Sequence, residues 1–487
     1  MRTKASPHFL SVKILLALLI VLMEIIFINS LASAGMEFVL SSAAVTIALL
    51  IQLRFAVRPN AASPADMVVF IFDWLFLDLA PKVQLMSMPQ RLINTSTVAV
   101  DRVALTNLMC ALFMVAFTLF YGFLTRRAEA RPADAAPAST PREFAAGAVG
   151  LALVVCLCVV AVAAPSAYAS IENSVSASPA SLIMKRCLLF LPSATLLILL
   201  HETVRSGRKL LFSRVCVILL LLLLVLITEN TYTEKRNALG PLYIALLLVA
   251  FPNFFGSWAR RMWLLVGGMV LIFPAITIFT HNHQQTLDAV SLSDVSDRLV
   301  DHYFSINYDS WANIYTAIEI AGAHGVQWGH QLLGSLLFFV PSSIWGGKPL
   351  ATGVFLGDYL IANYSMWFTN LSAPLIAEGY LDFGFVGVVL YAGAVAFAVT
   401  VLNKVALRSS KWVSLPLAIY GAVFLMIVLR GSLMIALGFA SAALLAFGVA
   451  SALLSVKLGV RRMPKRASAQ RRAGVQPRTG AQPTMVS

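Results

Sequence analysis

Side chains that can move a proton are concentrated between residues 281 and 383. This segment holds five of the seven histidines and nine carboxylates, in a chain of which only 12% of the residues are charged. Glu378 and Asp382 lie four residues apart, so a helix would place both on one face. A carboxylate, or a histidine such as His330, can act as a general base when a hydroxyl lies within hydrogen-bond reach. The alternative for the carboxylate pair is two solvated acids at the start of a helix.

The histidines are not spaced as zinc ligands are. No HExxH or HxxH arrangement occurs among them, so we predict no metal site. The sequence also lacks a glycine-rich phosphate loop, which predicts that no nucleotide cofactor is needed.

Basic side chains next to apolar sequence form a second group of candidates. Lys348 follows Pro341, Gly346 and Gly347, which break a helix, so it is expected on a constrained loop at the membrane surface. Arg430 stands in the almost purely apolar stretch FLMIVLRGSLMIALGF, where an arginine without a role is expensive. The alternatives are a snorkelling lysine and an interfacial anchor.

Aromatic residues form a third group. Tyr308, Trp311 and Tyr315 repeat at the spacing of one helix face. Flat rings pack well against the apolar faces of sugar rings, so Tyr308 and Trp311 could form a sugar-stacking platform. The alternative, and the commoner use of this pattern, is an aromatic belt on an amphipathic helix at the membrane interface.

The composition predicts that a membrane protein positions these residues. Of the 487 residues 59% are hydrophobic, and the mean hydropathy is +0.83. A charged share of 12% compares with roughly 25% in soluble domains. This excludes soluble, fibrous and disordered classes and predicts an all-α polytopic integral membrane protein. The net charge of +14 comes from basic residues at the edges of apolar runs, which argues against nucleic acid as a partner. The odd number of cysteines, five, predicts no disulfide framework.

Apolar windows long enough to cross a bilayer predict about twelve helices. They cover residues 13–31, 37–53, 66–80, 103–124, 144–164, 184–201, 215–228, 241–255, 263–280, 384–402, 413–429 and 433–456. With the N-terminus inside, 25 basic residues fall on inner segments and ten on outer segments, as the positive-inside rule expects. Counting the apolar residues 330–345 as a further span would place the basic C-terminal tail outside. We therefore predict that this segment is re-entrant or interfacial.

The predicted organisation has four parts. Residues 1–280 form an N-terminal bundle of nine spans, and residues 281–383 form a long extracytoplasmic loop that carries the catalytic and recognition residues. Residues 384–456 form the C-terminal spans, and residues 457–487 form a basic, disordered cytoplasmic tail. Both chain ends are expected in the cytoplasm.

Two carboxylates fall inside the third predicted span. Asp73 and Asp78 are five residues apart, about 140° around a helix, so they do not form one pair. Asp78 is expected near the membrane interface. Asp73 is expected deeper, where it must line a cavity or accept a buried hydrogen bond.

Two stretches resemble a known family. Residues 341–349 read Pro-Ser-Ser-Ile-Trp-Gly-Gly-Lys-Pro, and residues 378–387 read Glu-Gly-Tyr-Leu-Asp-Phe-Gly-Phe-Val-Gly. These stretches, the Arg430-Gly431 pair and Arg236 before a mid-chain span are similar to bacterial O-antigen and oligosaccharide repeat-unit polymerases of the Wzy type. The predicted twelve-span layout with a late outer loop is also similar to that family.

The resemblance implies glycosyl transfer at the periplasmic face of the bacterial inner (cytoplasmic) membrane. A growing glycan would move from undecaprenyl pyrophosphate onto a hydroxyl of the next lipid-linked repeat unit, with no cofactor. The implied partners are this undecaprenyl-pyrophosphate-linked oligosaccharide, membrane lipid, a chain-length regulator and a flippase, but no nucleic acid. Many family members carry arginine where this chain has Ser342, which removes one candidate phosphate ligand.

The resemblance also implies roles for individual residues. The leaving pyrophosphate needs fixed cations, and the acceptor hydroxyl needs a base. Glu378 is the first candidate for the base because it lies in the motif, and Asp382 and His330 follow. The predicted substrate-binding residues are Arg236, Arg298, Lys348, Arg430, Tyr308, Trp311, Trp345 and Tyr380.

Three alternative functions stay open at this point. An O-antigen ligase shares the donor and the leaving group with a polymerase. A flippase or transporter of lipid-linked oligosaccharide would show paired repeats and broken helices, and the sequence has few such features. An inert scaffold of an export complex would leave the chemistry of residues 281–383 unexplained.

Overall fold

The structure is a computed structural model that describes residues 7–30, 35–59, 61–129, 144–169, 179–207, 212–229, 236–269, 303–407 and 412–456. Within these ranges the chain is almost entirely helical. The described residues form no β-strand, and their extended pairing is limited to one isolated bridge between Arg91 and Thr97. The prediction of a nearly all-α chain is confirmed at this level.

The helices follow the apolar runs of the sequence and are numbered here in chain order. Their bounds are α1 Pro7–Ser30, α2 Met36–Phe55, α3 Ala65–Phe72, α4 Ala80–Ser87, α5 Val100–Glu129, α6 Ala146–Ala169, α7 Pro179–Ser206, α8 Phe212–Thr228, α9 Arg236–Ala250, α10 Trp258–Gly267, α11 Ser310–His324, α12 His330–Leu336, α13 Thr352–Tyr364, α14 Leu375–Leu407, α15 Ser414–Arg430 and α16 Leu433–Ser455. A π-helix, Asp73–Leu79, joins α3 to α4 without a break, and a 3₁₀ turn, Ile306–Tyr308, precedes α11.

Six of the described helices are long and apolar enough to cross a membrane. They are α1, α2, α5, α7, α14 and α16. Shorter apolar helices of 10–17 residues cover Ala146–Val162, Phe212–Thr228, Leu239–Ala250 and Ser414–Arg430. The chain is therefore compatible with insertion into a membrane, whereas the count of about twelve spans stays a prediction.

Large apolar side chains cover much of the outside of the bundle. Leu18 on α1 is 61% exposed, Leu119 on α5 is 68% exposed and Leu445 on α16 is 50% exposed. Water would penalise so many exposed leucines, whereas lipid chains would not. The exposed faces of these helices are therefore suited to contact with lipid.

Two apolar cores fill the described chain. The first is built mainly by α1 to α5, α10, α11, α13 and α14, and the second by α6 to α9 and α16. α15 contributes to both, with Leu425 and Leu429 in the first core and Tyr420 and Phe424 in the second. Since Arg430 is the last residue of α15, it lies where the two cores meet.

The segment predicted as a long outer loop is largely helical where the structure describes it. Residues 303–383 contain α11, α12, α13 and the start of α14. α11 is buried along most of its length and packs against α5 and α14, so it belongs to the first core. Residues 281–302 and the tail 457–487 lie outside the described residues.

The apolar segment 330–345 does not form a long helix. α12 ends at Leu336 after seven residues, and turns continue as far as Gly347. Seven residues of helix are about 10 Å long, against roughly 30 Å for the apolar core of a bilayer. The re-entrant or interfacial placement of this segment stays a prediction.

Candidate functional site

A sharp bend in α14 sets the position of both motif carboxylates. Phe383 has φ −142° and ψ 19°, and Gly384 has φ 61° and ψ −141°, so neither residue is helical. The bend brings residue 387 back against residue 379, where a Cβ on Gly387 would lie 1.8 Å from the carbonyl oxygen of Gly379. In a straight helix these two residues would be about 12 Å apart along the axis. The backbone therefore requires the glycines of this motif.

Asp382 holds the N-terminus of α12. Its Oδ1 accepts a hydrogen bond from the N–H of Gln331 at 3.0 Å. Its Oδ2 accepts from the N–H of Leu332 at 2.9 Å and from the hydroxyl of Tyr391 at 3.0 Å. A carboxylate is favourable here because it satisfies N–H groups that lack helical partners and faces the positive end of the helix dipole. Fully buried and with three bonds, Asp382 has the geometry of a positioning residue rather than of a base.

Glu378 holds the N-terminus of α16. Its Oε1 accepts from the N–H of Leu433, the first residue of α16, at 2.8 Å. Its Oε2 is buried and has no hydrogen-bond partner in the described part of the chain. The Glu378 side chain is 0% exposed. A substrate hydroxyl therefore cannot reach it in this conformation, which argues against its first rank among the candidate bases.

Arg430 is the last residue of α15, directly before the short connection to α16. Its Nε donates to the carbonyl oxygen of Asn307 at 3.0 Å. Its Nη2 lies 3.3 Å from the carbonyl oxygen of Ile306 and 3.4 Å from Oδ1 of Asp309. Nη1 donates to none of the described groups, so this nitrogen stays available to an anion.

An apolar cleft of about 740 Å³ opens beside Arg430. Its walls come from α3, the π-helix, α9, α10 and α15, and the wall residues other than Arg430 and Asn307 are apolar or glycine. The ring of Phe76 lies beside the guanidinium, with Cζ of Arg430 5.9 Å from the ring centroid. Such a cleft suits an amphiphile whose apolar part contacts the walls and whose anionic part meets the guanidinium.

Two other predicted arginines are described only in part or not at all. Arg236 is the first residue of α9, and Gly240 and Pro241, about one turn further on, line the cleft. The side chain of Arg236 lies outside the described residues, as does the whole of Arg298. Their substrate-binding roles stay predictions.

Lys348 is tied to its own loop. Its Nζ donates to the carbonyl oxygens of Phe338 and Val340, both at 2.8 Å. Burial lowers the pKa of Lys348 from its ordinary value. These bonds close the turns that follow α12, so Lys348 would have to release two carbonyls before it could bind a phosphate with all its donors.

His330 is exposed and contacts the loop that carries Lys348. Its Nε2 lies 3.0 Å from the carbonyl oxygen of Gly347, and its ring meets that of half-buried Trp345 edge-on, with centroids 6.2 Å apart. Because a carbonyl oxygen can only accept, Nε2 carries the hydrogen, and Nδ1 of the neutral ring is left as an acceptor. His330 is the first residue of α12, whose N-terminus is held by Asp382.

The predicted stacking platform of Tyr308 and Trp311 is corrected by the structure, because both side chains are only 1% exposed. Nε1 of Trp311 donates to Oδ1 of Asn107 at 3.0 Å, and the ring of Tyr308 stacks on Phe76 with centroids 5.2 Å apart. Burial also raises the pKa of Tyr308. Both rings, Tyr308 in the 3₁₀ turn and Trp311 in α11, pack into the first core and leave no ring face for a sugar. Tyr380 is half-buried and meets Phe385 edge-on.

The sequence reasoning missed the residues that hold these side chains in place. Tyr391 bonds Asp382, and Ser372 bonds Asp309, the ion-pair partner of Arg430. No local sequence signal could have found the pair of Asp309 and Arg430, because these residues are 121 positions apart. Partners of this kind are created only when distant helices pack together.

The structure brings the two motif stretches, residues 341–349 and residues 378–387, together with α12 and the start of α16. Residues 378–387 bond α12 through Asp382 and the start of α16 through Glu378, and α12 bonds residues 341–349 through His330. Among the described residues, no three His, Cys, Asp or Glu side chains are grouped as ligands for a metal ion. Comparisons with known protein families, with curated proteins and with solved structures give no match to this chain.

Proposed function

We propose that this chain is a membrane glycosyltransferase that polymerises lipid-linked oligosaccharide repeat units. The observation that carries the proposal is the guanidinium of Arg430 at the edge of an apolar cleft of about 740 Å³. A polyprenyl pyrophosphate has the matching chemistry, because a long apolar chain is joined to a strongly anionic group. Arginine suits this group since it stays ionised, and here Nη1 remains to donate to a phosphate oxygen.

The proposed reaction is a displacement at the anomeric carbon of the growing glycan. The acceptor hydroxyl attacks that carbon, the bond from the carbon to the pyrophosphate oxygen breaks, and undecaprenyl pyrophosphate leaves with the electron pair. Arg430 would stabilise the charge that develops on the pyrophosphate. Arg236, at the start of a helix that lines the same cleft, is a second candidate cation.

The acceptor proton needs a base that substrate can reach. His330 supports this role because it is exposed and its hydrogen bond to Gly347 leaves Nδ1 free to accept. In the proposal, His330 takes the proton, whereas Asp382 positions the start of α12, which carries His330, and Glu378 positions the start of α16, three residues after Arg430. The reaction is placed at the periplasmic face of a bacterial inner membrane.

The cation is tested by comparing Arg430→Gln with Arg430→Lys in the purified full-length protein. Turnover of lipid-linked repeat units should fall roughly 10²–10³-fold in Arg430→Gln, as for loss of one oxyanion donor. Arg430→Lys should recover little, because one ammonium cannot replace the donors to Asn307 and Ile306 and also reach the phosphate. Arg260→Gln is the control for loss of an arginine, since Arg260 is exposed and donates only to the carbonyl oxygen of Phe254 among the described groups.

A second control separates substrate binding from loop anchoring. Asp309→Asn weakens the contact that ties Arg430 to residues 306–309 but keeps the guanidinium. If Asp309→Asn lowers turnover as much as Arg430→Gln does, Arg430 serves the fold and the proposal loses its main support. Products also distinguish a polymerase from a ligase: long lipid-linked glycans support the proposal, whereas transfer only onto lipid A core would contradict it.

A further inference from the structure

A second charged cluster is buried among α1, α2 and α4, and it shares no residue with the cleft beside Arg430. Nζ of Lys82 lies 2.8 Å from Oε2 of Glu24 and also contacts Oδ1 of Asp78. The hydroxyls of Ser42 and Thr46 donate to the same Glu24 oxygen at 2.9 and 3.1 Å. All five residues are buried, and Asp78 is only 1% exposed.

The charges of this cluster do not balance. It contains two carboxylates and one ammonium, and the nearby titratable group on α5, the thiol of Cys110, adds no positive charge. Oε1 of Glu24 and Oδ2 of Asp78 are both buried and have no hydrogen-bond partner within the described ranges. An uncompensated buried carboxylate is strongly destabilising, so one further positive charge is needed.

A small cavity adjoins this cluster. Its polar wall residues are Asp78, Lys82, Ser42 and Asn107, which means that the carboxylate with the unpartnered Oδ2 faces a space about large enough for one water molecule or one small ion. Hard cations prefer oxygen ligands of the carboxylate, hydroxyl and amide type. The cavity therefore offers both the charge and the ligand atoms for a small cation.

We propose that this cavity binds one monovalent cation, with Oδ2 of Asp78 as its charged ligand. A single positive charge neutralises the cluster, whereas a divalent ion would reverse its sign. A proton on Oδ2 is the other source of one positive charge, and a dependence of stability on pH alone would indicate it. A bound cation leaves Oδ2 an acceptor and links the π-helix to α2 and α5 through Ser42 and Asn107. The site is independent of the proposed glycosyl transfer.

The experiment measures the thermal unfolding midpoint of the full-length protein while NaCl replaces choline chloride at constant ionic strength and pH. The midpoint should rise and saturate with Na⁺, because a ligand that binds only the folded state stabilises it. Asp78→Asn should lose this response. Asp73→Asn is the matched control: Asp73 lies on the same π-helix and accepts from Gln52 instead of lining the cavity, so its Na⁺ response should persist.

Three results would overturn the proposal. The first is a wild-type midpoint that does not respond to Na⁺ or K⁺. The second is a midpoint that changes with pH alone, which would assign the missing charge to a proton. The third is an Asp78→Asn protein that keeps the full response. If Asp78→Asn does not fold, equilibrium binding of radioactive sodium to the wild-type protein decides, since the proposal requires saturable binding of one ion per chain.

Discussion

Replacing Asp382 with asparagine should loosen α12 without unfolding the protein. Its Oδ2 accepts hydrogen bonds from Leu332 and Tyr391, and its Oδ1 accepts one from Gln331. The best placement of the amide keeps its oxygen at the Oδ2 position, so its NH₂ group then faces the N–H of Gln331. One charge-assisted bond is lost, at about 1.5–3 kcal/mol. Loss of the charge at the helix N-terminus adds about 0.3–1 kcal/mol, which gives about 2–4 kcal/mol in all.

Hydrogen–deuterium exchange measures this loss directly at the amides of α12. At about 1.4 kcal/mol per factor of ten, exchange at Gln331 and Leu332 should become roughly 30- to 1,000-fold faster in Asp382→Asn. Asp382→Ala should be faster still, because it leaves two N–H groups and the hydroxyl of Tyr391 unsatisfied. The control is Asp358→Asn on α13, since the side chain of Asp358 is exposed and accepts no hydrogen bond from the described groups.

The outcome also separates a positioning role from a catalytic one. If Asp382 is a positioning residue, turnover should fall in proportion to the loss of amide protection in α12. Asp382→Asn should then retain more turnover and more protection than Asp382→Ala. Unchanged exchange in both variants would refute the hydrogen bonds themselves. Turnover abolished in Asp382→Asn while α12 stays fully protected would refute the positioning role and return Asp382 to the candidate bases.

Three further predictions concern the backbone, the buried rings and the loop after α12. Gly387→Ala should prevent folding or lower the unfolding midpoint strongly, because its Cβ would meet a backbone carbonyl 1.8 Å away. The control is Gly393→Ala, whose Cβ meets only the Phe120 ring at 3.4 Å and should have a mild effect. A mild effect of Gly387→Ala would contradict the bend. Trp311→Phe should cost about 1–3 kcal/mol of stability because the buried Oδ1 of Asn107 loses its donor, with turnover per folded molecule retained. Selective loss of sugar binding would restore the stacking platform. Burial places the folded-state pKa of Lys348 below its unfolded value of 10.5. The stability of the wild-type protein should therefore rise with pH between these two values. The difference between the unfolding midpoints of the wild-type and Lys348→Met proteins, measured across that range, should show this rise.

The sequence predicted correctly that the chain is nearly all helical, and it predicted the environment of the helix faces poorly. Apolar windows longer than about 17 residues form helices in lipid because each backbone group must find its partner within the segment. The spacing of Tyr308 and Trp311 correctly places them near one face of a helix, but spacing does not say what covers that face. In a polytopic bundle an aromatic face can meet lipid, water or another helix, and here it meets the first core.

The candidate site shows the same division. The turn-forming residues around Lys348 and the glycines after Glu378 could be read locally, because their conformations follow from residue type. The burial of Glu378 could not be read locally, since its hydrogen-bond donor is the N–H of Leu433, 55 positions away. The cleft beside Arg430 could not be predicted either, because five helical elements from distant parts of the chain form its walls.

The spacing of Glu378 and Asp382 has a mechanical explanation that needs no proton transfer at either residue. Side chains at i and i+4 of a helix stand about 5–6 Å apart on one face. Here each of the two receives the N-terminus of another helix, so the first residues of α12 and α16 are set side by side. His330 is the first residue of α12, and Arg430 precedes α16 by three positions. The carboxylate pair therefore fixes the first turn of α12, which begins with the candidate base, beside the first turn of α16, which begins three positions after the candidate cation.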